Sequence, residues 1–315
     1  MLRYISRRAV QALVVLVLVS LIVFAMLHAL PGGPARAVIG PQGTDLQVAQ
    51  FSKENGLDRP LPIQYLDWVS GLVRGDFGYS YKLNQSVSSL FAQTIPKTVL
   101  LIGTSTLLAV ALALVLGVVQ AARRNSVLDH VITVLSLLGY ATPVFFVAMM
   151  LVLVFSIKLG WFPAQAPQSD SIREILEYSR ALVLPIVAFA IGIIAIFTQF
   201  VRSSMIDSML EEYVRTARAK GASERRILVR HLPRNSLGPV VTLLGLFLPV
   251  ILSGSIVIES VFNYPGLGLL FWNAARVRDF PILLSTAMVV ALVTVIGSLL
   301  ADIVNAWLNP TIREI

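Results

Sequence analysis

Two acidic residues stand inside strongly apolar stretches of the sequence, where an ionisable side chain is costly. Asp302 belongs to a polar stripe at helical spacing, whose members share one helix face; the stripe contains Thr294, Ser298, Asp302 and Asn305. This face either lines a solute path or forms hydrogen bonds between helices, and the second interpretation is favoured for Asp302. Glu259, near the end of the fifth apolar run, is open to the same interpretation as part of a pathway lining. The alternative is that the Glu259 side chain is a partner for a helix terminus at the Pro265-Gly266 turn.

The residue patterns of common enzymes are missing from the chain. It contains no cysteine, and its histidines, at positions 28, 130 and 231, stand far apart without an H-E-x-x-H pair. No G-x-x-x-x-G-K-S/T motif is present, and the segment Gly103–Leu107 lacks the last glycine of a G-x-S-x-G turn. The sequence therefore predicts a chain that is not an enzyme and binds no cofactor or metal. Any energy that it uses is expected to come from a partner.

A basic segment, Arg202–Asn235, combines a helical pattern with a turn. Its apolar residues recur at helical spacing; they are Ile206, Met209, Leu210, Tyr213, Val214 and Ala217. Gly221 can end this helix in the left-handed conformation, and Ser223 can cap a second short helix that continues toward Leu232-Pro233. Basic residues surround the turn; they are Arg215, Arg218, Lys220, Arg225, Arg226 and Arg230. Such a surface either docks a partner or contacts anionic lipid headgroups, and the residues alone leave both open.

The elements that must position these residues are membrane helices. Of 315 residues, 56% are hydrophobic and only 13% are charged, which excludes an ordinary soluble domain. Six apolar runs are long enough to cross a bilayer; they are Ala9–Leu30, Thr98–Ala121, His130–Ile157, Ala181–Val201, Leu237–Phe262 and Pro281–Trp307. The first run is longer than the apolar core of a signal peptide, which favours an uncleaved span. We expect an all-α polytopic protein.

The net charge of +8 is distributed unevenly between the two sides of the membrane. Lysine and arginine concentrate in the segments that are cytoplasmic when the amino terminus lies inside, so both termini are expected in the cytoplasm. No basic, aromatic-rich soluble module accompanies them, which argues against nucleic-acid binding.

The segment between the first two runs is expected to fold as a small helical cap. Asp45–Asn55 and Gln64–Val73 read as helices, and the second places Tyr65 and Trp68 on one face. The stretch Leu57–Pro62 between them reads as a proline-stiffened turn. The alternative is a surface loop that only joins two spans. Pro143 and Pro249, inside the third and fifth runs, predict kinks.

Several motifs together resemble one transporter family. Glu212–Gly221, followed by Leu232-Pro233, resembles the EAA loop of ATP-binding-cassette importer permeases, in the form of the dipeptide, oligopeptide and nickel group. Arg215-Thr216-Ala217 stands where the broader motif has Glu-Ala-Ala. Further matching stretches follow in order along the chain; they are Leu57–Pro60, Arg74–Gly78, Leu159–Pro163 and Glu259–Gly268, with Asn309–Arg313 resembling the family's ending with two substitutions.

The resemblance implies the type I importer permease fold, with six transmembrane helices, an external cap and a cytoplasmic coupling helix. It divides the chain into residues 1–30 (first helix), 31–97 (cap), 98–307 (permease core, with the EAA loop at 202–236) and 308–315 (cytoplasmic tail). It also implies contacts with the ATPase through a defined set of residues; they are Glu212, Arg215, Thr216, Ala217, Arg218, Lys220, Gly221, Ala222 and Ser223. Glu259, Ser255, Pro143 and Tyr140 are the residues expected along the pathway or at its gate.

The implied protein is the first, B-type, permease subunit of an importer in the inner cell membrane. Its expected partners are a second permease, two ATPase subunits that use ATP and magnesium, an extracytoplasmic solute-binding protein and membrane lipid, with no nucleic acid. Short peptides are the expected substrate, and nickel chelates or another small solute are the alternative. A secondary transporter or channel would instead show an internal repeat and a charged site near the membrane midplane, and neither is visible. A purely structural anchor is disfavoured by the basic segment.

Overall fold

The computed structural model describes residues 2–40, 42–169, 171–228 and 232–308, and nearly all of its regular structure is helical. In chain order the elements are α1 (Leu2–His28), α2 (Gly33–Ile39), α3 (Asp45–Glu54), α4 (Leu61–Val73), β1 (Tyr79–Ser80), β2 (Gln85–Ser86), α5 (Val87–Ala122), α6 (Val127–Ala141), α7 (Val144–Leu151), a π-helical segment (Val152–Lys158), α8 (Ile172–Glu177), a 3-10 turn (Ser179–Leu182), α9 (Val183–Met209), α10 (Glu212–Ala219), α11 (Glu224–Arg226), α12 (Leu232–Val261), α13 (Leu267–Val277) and α14 (Phe280–Leu308). Arg230 and the expected tail motif at 309–313 lie outside the described residues.

Five of the described segments are long and apolar enough to cross a membrane, and the bent pair of α6 and α7 makes a sixth if it is counted as one span. The five are Ser6–His28, Val87–Ala122, Ser179–Met209, Val240–Val261 and Phe280–Val304. The expected all-α membrane fold is therefore confirmed.

The kink expected at Pro143 in the third apolar run, His130–Ile157, is a complete break between two helices. The chain breaks between α6 and α7 and bends by 103°. Proline lacks an amide hydrogen and disfavours helical backbone in the residue before it. Accordingly Thr142 is extended (ψ 125°), and Pro143 (ψ 136°) precedes the first residue of α7.

Three helices extend beyond the boundaries expected from their apolar runs. α5 begins at Val87 instead of Thr98, with the Ser86 hydroxyl accepting from Ser89 N at 3.2 Å. α9 continues to Met209 instead of Val201, and α12 begins at Leu232 instead of Leu237. The proline at position 233 is compatible with the first turn of α12, where its missing N–H has no helical partner.

α9 is the central helix of the bundle, in contact with α5, α6, α7 and α12. Gly117 of α5 permits a close approach, since a Cβ there would lie 2.6 Å from the Cβ of Val201. α1 lies at the edge of the bundle and packs mainly against α14. Arg8 and Asp302 form an ion pair of 3.2 Å between these two helices, so Asp302 makes the interhelical contact favoured from its position.

Residues 33–86, hereafter the cap, contain α2 to α4 and a two-stranded antiparallel hairpin. The Thr44 hydroxyl and the Gln47 side chain form a reciprocal capping box that fixes the start of α3. α4 begins at Leu61, earlier than the expected Gln64, because Pro60 and Pro62 favour a helix start rather than an extended turn. The hairpin was not expected from the sequence.

The cap lies at one end of the bundle, and the turn between α10 and α11 lies at the other. His28, the last residue of α1, contacts Gln64 of the cap, whereas Arg8 near the start of α1 pairs with Asp302 near the end of α14. We call these the cap end and the loop end.

Candidate functional site

α10, the turn at Gly221 and α11 form a compact surface at the loop end. Val214 is fully buried on the inner face of α10, and the half-buried Tyr213 and Ala217 lie beside it in the same apolar cluster. Ile227, also fully buried, anchors the segment after α11. The prediction that Leu210 belongs to the apolar face is wrong. This side chain is 65% exposed, because α9 ends one residue earlier and the chain turns.

Gly221 adopts the left-handed conformation expected for it, with φ of +80° and open space around its Cα. The Ser223 hydroxyl then accepts from Arg226 N at 3.4 Å and caps α11. Arg218 and Glu224 bridge the turn through two hydrogen bonds of 2.7 and 3.2 Å. This contact raises the pKa of Arg218 and lowers the pKa of Glu224, so both side chains stay charged near neutral pH.

The outer face of this surface is exposed and polar. Most residues with an expected coupling role lie on it; they are Glu212, Arg215, Thr216, Arg218, Lys220, Gly221 and Ser223. Ala217 and Ala222 are half-buried beneath it. The side chains of Arg225 and Arg230 lie outside the described part of the chain. The structure thus brings the expected coupling residues together, with an apolar side held by the bundle and a charged side free to meet another molecule.

A buried ion pair that sequence reasoning missed supports the loop end. Asp129, at the start of α6, is only 2% exposed. Arg202 of α9 donates from Nε to Asp129 Oδ1 and from Nη2 to Oδ2, each at 2.7 Å. Gln120 Nε2 of α5 donates to the same Oδ1 at 3.1 Å, and Asn125 N donates to Oδ2 at 3.0 Å. The Asp129 carboxylate therefore joins α5, α6 and α9 through charge-assisted hydrogen bonds. Arg202 lies less than two helical turns before Met209, where α9 ends.

Glu259 is fully buried in the last turn of α12, where it caps another helix. Its Oε1 accepts from Thr98 Oγ1 of α5 at 2.7 Å, and its Oε2 accepts from Leu269 N at 3.0 Å. Thr98 Oγ1 in turn accepts from Leu267 N at 2.7 Å. These groups satisfy amides in the first turn of α13 that have no partner within that helix. The structure therefore places Glu259 at a helix terminus, against helices α5 and α13.

The space around this carboxylate admits only glycine in the turn that follows. A Cβ on Gly268 would lie 2.7 Å from Ile256 Cα and 3.0 Å from Glu259 Oε2, and a Cβ on Gly266 would overlap Glu259 and Thr98. Tyr264, also fully buried, donates its hydroxyl to Lys97 O at 2.8 Å. Burial raises the pKa of Tyr264, so the hydroxyl stays protonated and remains a donor.

α13 itself was missed, because it lies between the fifth and sixth apolar runs, in a segment for which no helix was predicted. Its signal was present: Leu267, Leu270 and Ala274 recur at spacings of three and four and pack in one apolar cluster. The cap holds its far end, where Ser80 of the hairpin donates to Asp279, and Ser285 donates to Phe77 O at 2.8 Å. α13 is thus fixed at one end by α5 and α12 and at the other by the cap.

The remaining expected pathway residues occupy two different environments. Ser255 is buried on α12, one turn before Glu259, and donates to Leu252 O at 2.8 Å. Tyr140 is 67% exposed at the end of α6, and Pro143 is exposed at the break before α7. The structure does not gather the four residues into one site. Among the described residues, no group of three or more His, Cys, Asp or Glu side chains could hold a metal ion.

The chain is similar to known membrane transport components along nearly its whole length. Residues 113–314 match the family model described as binding-protein-dependent transport system inner membrane component, and residues 1–102 match the model of the corresponding N-terminal region. A putative peptide permease protein of Brucella suis biovar 1 (strain 1330) is 39% identical, over 99% of each chain. The oligopeptide transport system permease protein AppB of Bacillus subtilis (strain 168) is 37% identical, over 98% of this chain and 99% of that one.

A third relative, the glutathione transport system permease protein GsiC of Escherichia coli (strain K12), is 36% identical over 99% of each chain. Among solved structures, an inward-facing conformation of the MetNI methionine ABC transporter aligns with a TM-score of 0.59 and 14% identity, over 70% of this chain and 96% of that one. This likeness concerns the fold. The family models match nearly the whole chain, and the chain belongs to the inner membrane components of binding-protein-dependent transport systems.

Proposed function

We propose that this chain is the permease subunit of an ATP-driven importer of short peptides. Three relatives that align over nearly the whole chain are named as peptide, oligopeptide and glutathione permeases, and all three names denote peptide cargo. A second, similar permease completes the pathway, and this chain is the first, B-type, member of the pair. The protein lies in the inner cell membrane with both termini in the cytoplasm.

The loop-end surface is the docking site for two ATPase subunits, which bind the ATP and magnesium. The observation that carries this proposal is the construction of α10 and the Gly221 turn, with Val214 and Ile227 fully buried and the charged face exposed. Such a segment moves as one unit with the helices beneath it. Closure of the ATPases therefore biases the permease between two states, provided that their contacts differ between those states.

At the cap end, α13 forms part of the gate, and Glu259 positions it. The buried contacts from Thr98 and Glu259 to the first turn of α13 support this role, since movement of α12 relative to α5 must alter them. The exposed Tyr140 and Pro143 lie on the pathway side of the α6–α7 break, with Ser255 behind the gate on α12. The cap receives the solute-binding protein.

The decisive test uses the loop-end turn. Gly221→Val places a β-branched residue at φ of +80°, a conformation that such residues avoid. In vesicles containing the purified complex, this variant should assemble with its ATPases but lose peptide uptake. Gly160→Val is the matched control, because Gly160 also has positive φ (+63°) and open space, but lies outside the loop-end surface. Unimpaired uptake by the Gly221 variant, with ATP hydrolysis still stimulated by the binding protein, would contradict the coupling role.

A further inference from the structure

α4 in the cap packs against α1 through Tyr65 and Trp68, whose rings lie beside Phe24. Next to them, Gln64, Asp67 and Gly71 recur at spacings of three and four and line an open cavity of about 560 Å³ between the cap and the ends of α1 and α14. Gln64 is almost completely buried there. Its Oε1 accepts from His28 Nε2 at 3.0 Å, and its Nε2 donates to the carbonyls of Leu57 and Arg59.

The outward side of α4 is apolar. Pro62, Leu66, Val69 and Val73 recur at spacings of four, three and four and form one stripe without a polar side-chain atom. Leu66 is 64% exposed and Val73 is 83% exposed. A helix at a protein–water boundary normally carries polar side chains on its outward side. The medium outside α4 is therefore expected to be apolar.

The height of α4 along α1 identifies that medium. Gln64 meets His28 at the end of the span, Trp68 stacks near Phe24 with ring centroids 5.9 Å apart, and the Tyr65 hydroxyl lies 2.7 Å from Ser20 Oγ. Eight residues of helix separate Ser20 from His28, which is about 12 Å along the axis. α4 thus lies beside the last turns of a membrane span, at the depth where tyrosine and tryptophan favour the lipid interface.

The neighbouring surfaces agree with this placement. α1 exposes apolar side chains at the height where it contacts α4, including Leu18, Leu21 and Ile22. α3, on the other side of the cap, exposes polar side chains such as Gln47, Gln50 and Lys53, as expected for a helix facing water. The exposed apolar residues of α4 therefore lie at the same height as exposed apolar residues of the span α1.

We infer that α4 is an interfacial helix, with its Pro62–Leu66–Val69–Val73 stripe inserted among the lipid acyl chains of the leaflet on the cap side. Such helices bury their apolar face several ångströms below the headgroups. The membrane then fixes the height of the cap, and with it the position of the hairpin that holds α13. This inference does not depend on the cargo or on the proposed coupling mechanism.

Spin labels can test the insertion directly, because the chain contains no cysteine and each introduced cysteine reports one site. Leu66→Cys and Val73→Cys place nitroxides on the apolar stripe, and Asp67→Cys places one on the polar side. The labelled full-length permease is studied in its complex, in phosphatidylcholine–phosphatidylglycerol vesicles. Collision rates are measured with oxygen, which concentrates in lipid, and with chromium oxalate, which stays in water.

At Leu66 and Val73, oxygen collisions should exceed chromium oxalate collisions, whereas the order should reverse at Asp67. Both stripe positions are well exposed, so their substitution removes no buried contact and the complex should assemble normally. If chromium oxalate collides with labels at Leu66 and Val73 as often as with the label at Asp67, the stripe lies in water and the inference is overturned. Protection of the stripe from both reagents would show that another protein covers it, and would overturn the inference equally.

Discussion

Thr98 of α5 and Glu259 of α12 are joined by a hydrogen bond of 2.7 Å inside the bundle, and together they cap a third helix, α13. Thr98 both donates to Glu259 and accepts from Leu267 N, so one hydroxyl of α5 connects two elements that follow it by more than 160 residues. An acid that was expected to take part in substrate passage or gating is thereby part of the scaffold that positions α13.

Thr98→Val should destabilise the protein while keeping the shape of the side chain. The substitution leaves the Leu267 amide and one Glu259 oxygen without their buried partner, which costs about 1–3 kcal/mol for each unsatisfied group. Thermal unfolding of the purified complex should show a lower midpoint, and Thr98→Ser should restore it. An unchanged midpoint for the valine variant would mean that the hydroxyl contributes nothing to holding α13.

Glu259→Gln tests whether the charge of this side chain matters beyond its shape. The amide keeps one acceptor but turns an NH2 group toward Thr98 Oγ1 or Leu269 N, both of which already act as donors to the carboxylate. Uptake should fall although the complex assembles. Glu177→Gln is the control, because Glu177 forms an exposed ion pair with Arg173 at 3.4 Å. Normal uptake of every accepted substrate by the Glu259 variant would exclude a gating role for its charge.

Asp129→Asn should weaken the loop end more than any exposed ion pair does. Removing one partner of a buried pair costs about 3–5 kcal/mol, and the partial exposure of Arg202 reduces that figure. The comparison is Glu224→Gln, for which the thermal unfolding midpoint is measured in the same way. Glu224 also binds an arginine, Arg218, through two hydrogen bonds, but this pair is exposed. We expect a clearly lower unfolding midpoint for the first variant and a small change for the second. Equal midpoints would show that the Arg202 contact does not stabilise the bundle.

Arg202→Lys separates geometry from charge at the same site. Lysine keeps the positive charge but cannot donate from two nitrogens to both Asp129 oxygens at once. If the pair transmits movement from α10 to α5 and α6, ATP hydrolysis should continue while uptake per ATP falls. A constant uptake-to-hydrolysis ratio would limit the pair to a structural role.

Ser80→Ala should loosen the attachment of the cap to α13. Ser80 donates to Asp279, and both residues are buried, so the alanine leaves the carboxylate oxygen Oδ2 without that partner. Limited proteolysis in vesicles should cleave the hairpin faster in this variant. Ser70→Ala, at a half-buried serine of α4 that bonds only within its own helix and to Arg74, should leave the cleavage rate unchanged. Equal rates for both variants would contradict the anchoring role of Ser80.

Local chemistry in the sequence was sufficient for the membrane class and for the loop-end turn. Long apolar runs require helices in a bilayer, because no other segment satisfies its own backbone there. Gly221 and Ser223 indicated a left-handed stop and a cap, since each requirement concerns only neighbouring residues. Family motifs then supplied the expected docking role, which the residues alone had left open between a partner and lipid.

Only the tertiary structure decided which side chains act together. The positions of Thr98 and Glu259 differ by 161 residues, and those of Asp129 and Arg202 differ by 73, so no periodic pattern joins them. The size of the bend at Pro143 also depends on the helices packed around it, since proline permits a break without setting its angle. The sequence determined which segments enter the membrane, because burial of apolar surface is a local property. The contacts that fix α13 and the loop end required the fold, because they arise only when distant helices are packed together.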